Sequence, residues 1–372
     1  MNVERLRQRV ASLLADADIV LNGDHAWDLQ VNDDRLFRRV WAEGSLGLGE
    51  AYMDGWWDCE RLDVFFDRVL RAELDKQVRS WVDICNHLCA RVLNMQSRRR
   101  ASKVGEQHYD LGNDLFERML DERMIYSCGY WRRADTVDEA QRAKLDLICR
   151  KLKLEPGMRL LDIGCGWGGL LRYAAEEYGI EGVGVTISKE QVERASEVCA
   201  ELPVEIRLQD YRDLDEQFDA VASVGMFEHV GGKNHRRFME VAENCLVENG
   251  LFLLHSIGQQ HSSAGGDPWL NKYIFPNGDL PCARQVAETS EDFFILEDWH
   301  NFGPDYDRTL MAWLANVEAS WDDLPARYDE RFRRMWRYYL QACAGAFRAR
   351  KIQLWQVVFS KCGTPGTYHS VR

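Results

Sequence analysis

Leu161-Asp162-Ile163-Gly164-Cys165-Gly166-Trp167-Gly168-Gly169 is the stretch on which the fold turns. It closes a short apolar run at 159–163. It opens onto 170–178, where Leu170, Leu171, Ala174, Ala175 and Tyr178 share a helical phase and Gly179 supplies the stop. Strand, glycine turn and helix in that order are the context a nucleotide-binding turn requires. Glycines there permit positive φ and let a ligand lie against bare backbone. Working outward, residues 182–187, 204–208, 218–224 and 250–257 read as further strands, with helical patterns near 189–200 and 233–246 between them. This alternation predicts an α/β fold with a Rossmann-like, mostly parallel sheet. The run 353–359, Gln-Leu-Trp-Gln-Val-Val-Phe, has no helix after it and is expected to return as a hairpin, making the last strands antiparallel.

The turn carries an acid and no phosphate pocket. Its spacing is Gly-x-Gly-x-Gly through Gly164, Gly166 and Gly168, not the Gly-x-Gly-x-x-Gly of a dinucleotide site. The second strand ends in Thr186-Ile187-Ser188 and lacks the acidic ribose ligand such a site needs. Asp162 suits a ligand with an ammonium and a sulfonium and would repel a pyrophosphate. These features favour S-adenosylmethionine, and with it a class I methyltransferase sheet. As a turn residue alone, Asp162 would need no ligand. Thr186 and Gln191 are candidates for the ribose hydroxyls. Ser188 and Gln191 also form a capping box that would account for them without a ligand. After the third strand, Gln209, Asp210 and Tyr211 are candidates for the adenine: the acid accepts from its amine and the aromatic flanks its ring.

Composition bounds the rest. The chain has 372 residues, 46% hydrophobic and 29% charged, the profile of a globular protein with more than one ordinary domain. A formal net charge of −13 argues against a nucleic-acid partner. Residues 1–104 carry 16 Lys/Arg against 17 Asp/Glu, whereas 105–372 carry 31 against 43, so the amino-terminal part is the less acidic. The basic run Arg98-Arg99-Arg100 with Lys103 marks a linker at 96–104, between an amino-terminal domain at 1–95 and a larger one at 105–372. Eleven cysteines without a Cys-x-x-Cys pair, and no signal-peptide pattern, read as reduced thiols in a cytoplasmic protein with no metal site. No apolar run is long enough to span a bilayer.

Further motifs carry a resemblance. They are His108-Tyr109-Asp110-Leu111-Gly112-Asn113-Asp114, Tyr126-Ser127-Cys128-Gly129-Tyr130-Trp131, Gly225-Met226-Phe227-Glu228-His229-Val230-Gly231, the stretch Pro268 to Gly278, and Asp298-Trp299-His300-Asn301-Phe302-Gly303. With the glycine turn they resemble the bacterial cyclopropane-fatty-acyl-phospholipid synthases over essentially all of 105–361. Gly44 to Glu50 extends the likeness into the first domain. The resemblance implies methylene transfer from S-adenosylmethionine to a cis double bond of an unsaturated phospholipid acyl chain. It implies a carbocation that is deprotonated by bound bicarbonate. Cys128, Glu228, His255, Ile257 (through its backbone) and Tyr306 match the positions that hold the anion. Tyr126 and Ser127 are candidates to contact the methionine carboxylate or to close over the cofactor. Thiol, phenol, imidazole and backbone N–H can all donate to an oxyanion, whereas an ionised Glu228 cannot; it is expected to orient His255 or to accept a proton. Taken singly, a cysteine is more often a small buried core residue and a histidine a satisfied one.

The family resemblance also implies an amino-terminal domain that binds lipid and supports a homodimer, with reversible docking on the inner membrane. Candidate docking patches are 98–103 and 331–337, where Arg331, Arg333, Arg334 and Arg337 surround Phe332, Met335 and Trp336; for the second, packing inward is the expected outcome. The glycine- and aromatic-rich stretch 258–283 is expected to be a long loop at the sheet rim, either a lid that encloses the acyl chain or a plain surface excursion.

Overall fold

A computed structural model of the chain describes residues 2–74, 112–262, 266–363 and 366–372. The linker, its basic run and the motif residues His108 to Leu111 lie outside the described residues. The chain divides into two compact units. One comprises Met1–Asn94, Ser263–Gly278 and Tyr306–Ile352, and the other Met95–Ser262, Asp279–Asp305 and Gln353–Arg372.

The second unit is built on a seven-stranded sheet. Its strands are β1 (Arg159–Ile163), β2 (Glu181–Thr186), β3 (Val204–Leu208), β4 (Phe218–Val224), β5 (Leu246–Gln259), β6 (Ile295–Asn301) and β7 (Ile352–Ser360). They lie in the order β3-β2-β1-β4-β5-β7-β6. Strands β1 to β5 run parallel, and β6 pairs antiparallel with β7. Alternate residues feed two cores. Leu161, Ile163, Val221, Phe252 and Leu254 face one, while Leu160, Ala220, Ala222, Leu251 and Leu253 face the other. Burial on both faces is why these strands read as near-continuous apolar runs. Strand β6 contains Glu297, Asp298, His300 and Asn301, so no apolar run marks it in the sequence. The helix Gly169–Tyr178 is terminated by Gly179 in the left-handed region, as its position in the sequence requires.

In the first unit a two-residue ladder pairs Gln30–Val31 with Trp57–Asp58 beside helices Val3–Ala15, Arg35–Glu43, Ser45–Met53 and Leu62–Arg71. The stretch 258–283 is not one loop: Pro268–Tyr273 forms a helix within it. Asp267 caps that helix by accepting from the N–H groups of Trp269 and Leu270, and Pro268 sits at the first turn where no N–H is needed. On helix Glu330–Arg348 the side chains of Met335, Trp336 and Tyr339 are buried. Arg331 pairs with Asp54, Arg333 and Arg337 with Glu318, and Arg334 with Asp58. This arginine cluster is internally neutralised and offers no free basic field to a lipid surface. Among the described residues no helix is long and apolar enough to cross a membrane.

Candidate active site

The site lies in the second unit, at the carboxyl ends of β1, β4 and β5, where ligands of open α/β sheets bind. Beyond β1 the chain turns through Gly164, Gly166 and Gly168, all at positive φ. A Cβ on Gly164 would stand 2.7 Å from Cγ of Met226, in the loop after β4. The bare backbone of the turn thus forms a cradle that only glycine allows. Asp162 at its base is 2% exposed, and its Oδ1 has no hydrogen-bond partner among the described residues. Burial lifts its carboxyl to about 7, with the nearby Lys144 charge acting in the opposite direction. A buried acid with an uncommitted oxygen below a glycine cradle fits the ammonium end of S-adenosylmethionine.

Ser127 and Cys128 approach from the segment before helix Val137–Lys151. A Cβ on Gly225 would stand 4.0 Å from that of Ser127, and the Gly225 N–H donates to the His255 carbonyl at 2.9 Å. Ser127 is therefore drawn to the rim that carries β4 and β5. Lys144, 1% exposed, donates to Ser127 Oγ at 2.9 Å, and Gln141 Nε2 donates to the Ser127 carbonyl at 2.7 Å. Burial lowers the ammonium of Lys144 to about 8, against the charges of Asp121, Cys128 and Asp162. Cys128 is fully buried, with Sγ 3.1 Å from the Gly129 carbonyl. Tyr126 packs edge-on against Phe116.

Glu228 and His255 each keep one uncommitted polar atom. Glu228 Oε1 accepts the Ile257 N–H at 2.6 Å, while Oε2 is buried without a hydrogen-bond partner among the described residues. Burial raises this carboxyl to about 7. Gln356 Nε2 on β7 donates to His255 Nδ1 at 3.2 Å, so the ring proton sits on Nε2, which is buried and unpartnered among the described residues. Burial, with the positive charges of Lys144 and Lys151, holds His255 well below its ordinary value and keeps it neutral. Glu228 makes no hydrogen bond to His255; the group that orients the imidazole is Gln356. The Ile257 N–H, expected to face an anion, is engaged by Glu228. Tyr306 belongs to the first unit, where its ring stacks on Phe347.

The adenosine candidates divide. Thr186 Oγ1 donates to Gln191 Oε1 at 2.7 Å, and both are buried. Ser188 caps its helix by accepting the Gln191 N–H, but the Gln191 side chain turns to Thr186 and leaves the capping box half made. Asp210 grips Arg212 with both oxygens, Gln209 donates to the Asp213 carbonyl, and Tyr211 packs inward on Phe238. Three polar residues escape the motifs: Lys144, Gln141 and Gln356. Each sits on a buried face otherwise filled by Ala140, Leu147 and Ile148 or by Leu354 and Val358. A polar residue interrupting an apolar face is the signal that could have marked them.

The family model described as mycolic acid cyclopropane synthetase matches residues 96–357. The chain is 58% identical over 355 residues to the cyclopropane-fatty-acyl-phospholipid synthase of Escherichia coli K12, covering 95% of this chain and 93% of that one. Among solved structures, the cyclopropane synthase MmaA2 from Mycobacterium tuberculosis superposes with a TM-score of 0.66 at 33% identity, covering 70% of this chain and 98% of that one. The mycolic acid cyclopropane synthase CmaA1, complexed with SAH and CTAB, gives a TM-score of 0.65 at 34% identity with the same coverage.

Proposed function

The chain belongs to the cyclopropane synthetase family of S-adenosylmethionine-dependent methyltransferases, and from that premise we propose that it converts cis double bonds of phospholipid acyl chains into cyclopropane rings. One observation carries the reading. Glu228 Oε2 and His255 Nε2 are buried and uncommitted on neighbouring strand ends, beside a glycine turn suited to a cationic cofactor.

The cofactor, when bound, supplies an electrophilic methyl group. An alkene is a weak nucleophile, so the chain's contribution is to hold the two in line and keep water out. The buried surroundings of Cys128, Glu228 and His255 suit a carbocation that water would otherwise capture. A proton must leave as the ring closes, which calls for an acceptor in this apolar corner. Bicarbonate, if held there, would supply one. His255 Nε2–H is a donor for such an anion, the Cys128 thiol is a second once it turns from the Gly129 carbonyl, and a Glu228 carboxyl held near 7 can carry or accept its proton. By the family resemblance alone, Tyr306 would supply a phenol donor. Tyr126, Ser127, Asp162, the turn glycines, Thr186, Gln191, Gln209, Asp210 and Tyr211 serve the cofactor. The protein acts as a cytoplasmic homodimer docked on the inner membrane, with its amino-terminal domain on the lipid.

The test is product chemistry. With vesicles of dioleoyl phosphatidylglycerol and cofactor bearing a fully deuterated methyl group, the acyl chains are expected to lose the alkene and retain two of the three deuterons. Retention of all three would mean plain methylation and would overturn ring formation. Omitting bicarbonate from degassed buffer is expected to slow the reaction, and an unchanged rate would remove the anion from the mechanism.

A further inference from the structure

Lys144 is a buried charged residue at this site with no part in the reaction. It is 1% exposed, it lies on helix Val137–Lys151, and it forms no ion pair within 4 Å among the described residues. An ammonium buried without a partner costs several kcal/mol, so its persistence calls for a reason. Its single hydrogen bond goes to Ser127 Oγ at 2.9 Å. The Ser127 carbonyl is held separately by Gln141 at 2.7 Å. The serine is thus fixed at two points from the helix side, and its own hydroxyl proton donates to nothing among the described residues. An ammonium has no lone pair, so that proton must point away from Lys144.

The acids nearest in charge are Asp121, which accepts the N–H groups of Arg123 and Ile125, and Asp162, whose Oδ1 is buried and unpartnered among the described residues. Lys144 lies within the electrostatic reach of both Asp162 and Cys128. One rim therefore presents an uncommitted acid and, close by, an outward hydroxyl backed by a cation. This pattern is complementary to a free α-amino acid, whose ammonium and carboxylate differ in sign in the same way.

We propose that Lys144 is a positioning residue for the amino-acid carboxylate of the cofactor, holding the Ser127 hydroxyl so that its proton faces that carboxylate and adding a buried positive charge behind it. The inference rests on the assignment of the glycine turn to S-adenosylmethionine. Lys144 touches no substrate; it acts through Ser127.

The test compares two ligands by calorimetry on the full chain. S-adenosylhomocysteine carries the amino-acid tail, and 5′-methylthioadenosine lacks it. Lys144→Met is expected to weaken S-adenosylhomocysteine by about 10- to 100-fold, the range for losing a charge-assisted contact, and to leave methylthioadenosine within about threefold. Ser127→Ala is expected to show the same selectivity. The double variant should be little weaker than the worse single one, because both act on one contact. Parallel loss of both ligands in Lys144→Met would make the residue merely structural and overturn the proposal. Should Lys144→Met fail to fold, Ser127→Ala still decides: unchanged affinity for S-adenosylhomocysteine overturns it. A wild-type chain that binds neither ligand overturns instead the cofactor assignment beneath it.

Discussion

Glu228→Gln is expected to lower ring formation by about 10²- to 10⁴-fold, the usual contribution of a positioned proton carrier, with S-adenosylhomocysteine affinity within about threefold of wild type. Gln keeps an oxygen for the Ile257 N–H, so β5 and the loop after β4 stay joined. What is lost is the titratable oxygen Oε2, which is buried and uncommitted. Turnover and affinity must therefore separate. Full turnover in the variant would remove Glu228 from the chemistry, and parallel loss of affinity would make it a scaffold residue.

The same substitution has a second signature, in stability. Burial raises the Glu228 carboxyl from 4.5 to about 7. Between those values the native chain keeps a proton that the unfolded chain has released. The stability this group contributes is therefore complete below about pH 4.5 and is lost as pH rises to about 7, at about 1.4 kcal/mol per pH unit. Gln does not titrate. Urea unfolding at pH 5 and pH 8 is thus expected to show the variant gaining on wild type by about 3 kcal/mol. Asp162 is raised as well but is common to both proteins and cancels. A stability difference that does not vary with pH would contradict the raised carboxyl.

Legibility in the sequence followed the physics of each element. The parallel strands were readable because burial on both faces makes them continuous apolar runs, and the glycine turn because only glycine takes the φ values found at 164, 166 and 168. Strand β6 was not, because polar residues fill most of it. The helix Pro268–Tyr273 left a local mark, Asp before Pro, that the surrounding glycines and aromatics obscured. At the site, the motifs supplied Glu228 and His255, but their partners come from distant positions. Gln356 lies 101 residues from His255, and Lys144 lies 17 from Ser127 on an unremarked helix. No local pattern encodes such pairings; they exist only once the sheet has formed. Asp210 suits an adenine amine by type, and its pairing with Arg212 two residues away is a local contact that the sequence reading did not include.

Gly258→Ala tests how far the site depends on packing beneath it. A Cβ there would lie 2.0 to 2.5 Å from three atoms of the Trp355 indole ring. The ring has nowhere to go: Trp355 is 3% exposed, packs edge-on against Trp299 at 5.1 Å, and donates its indole N–H to Gln353. Overpacking of this kind costs about 3 kcal/mol or more. The expected result is a fall in Tm of roughly 5–10 °C. Activity should fall further than stability explains, because residue 258 adjoins Ile257, whose N–H holds Glu228. Trp355→Leu makes room for the added methyl group. In that background Gly258→Ala should cost less by about 2 kcal/mol, a coupling expected only of residues in direct contact. Simple additivity of the two losses would mean that the glycine is required for its backbone and not for the space it leaves to the indole.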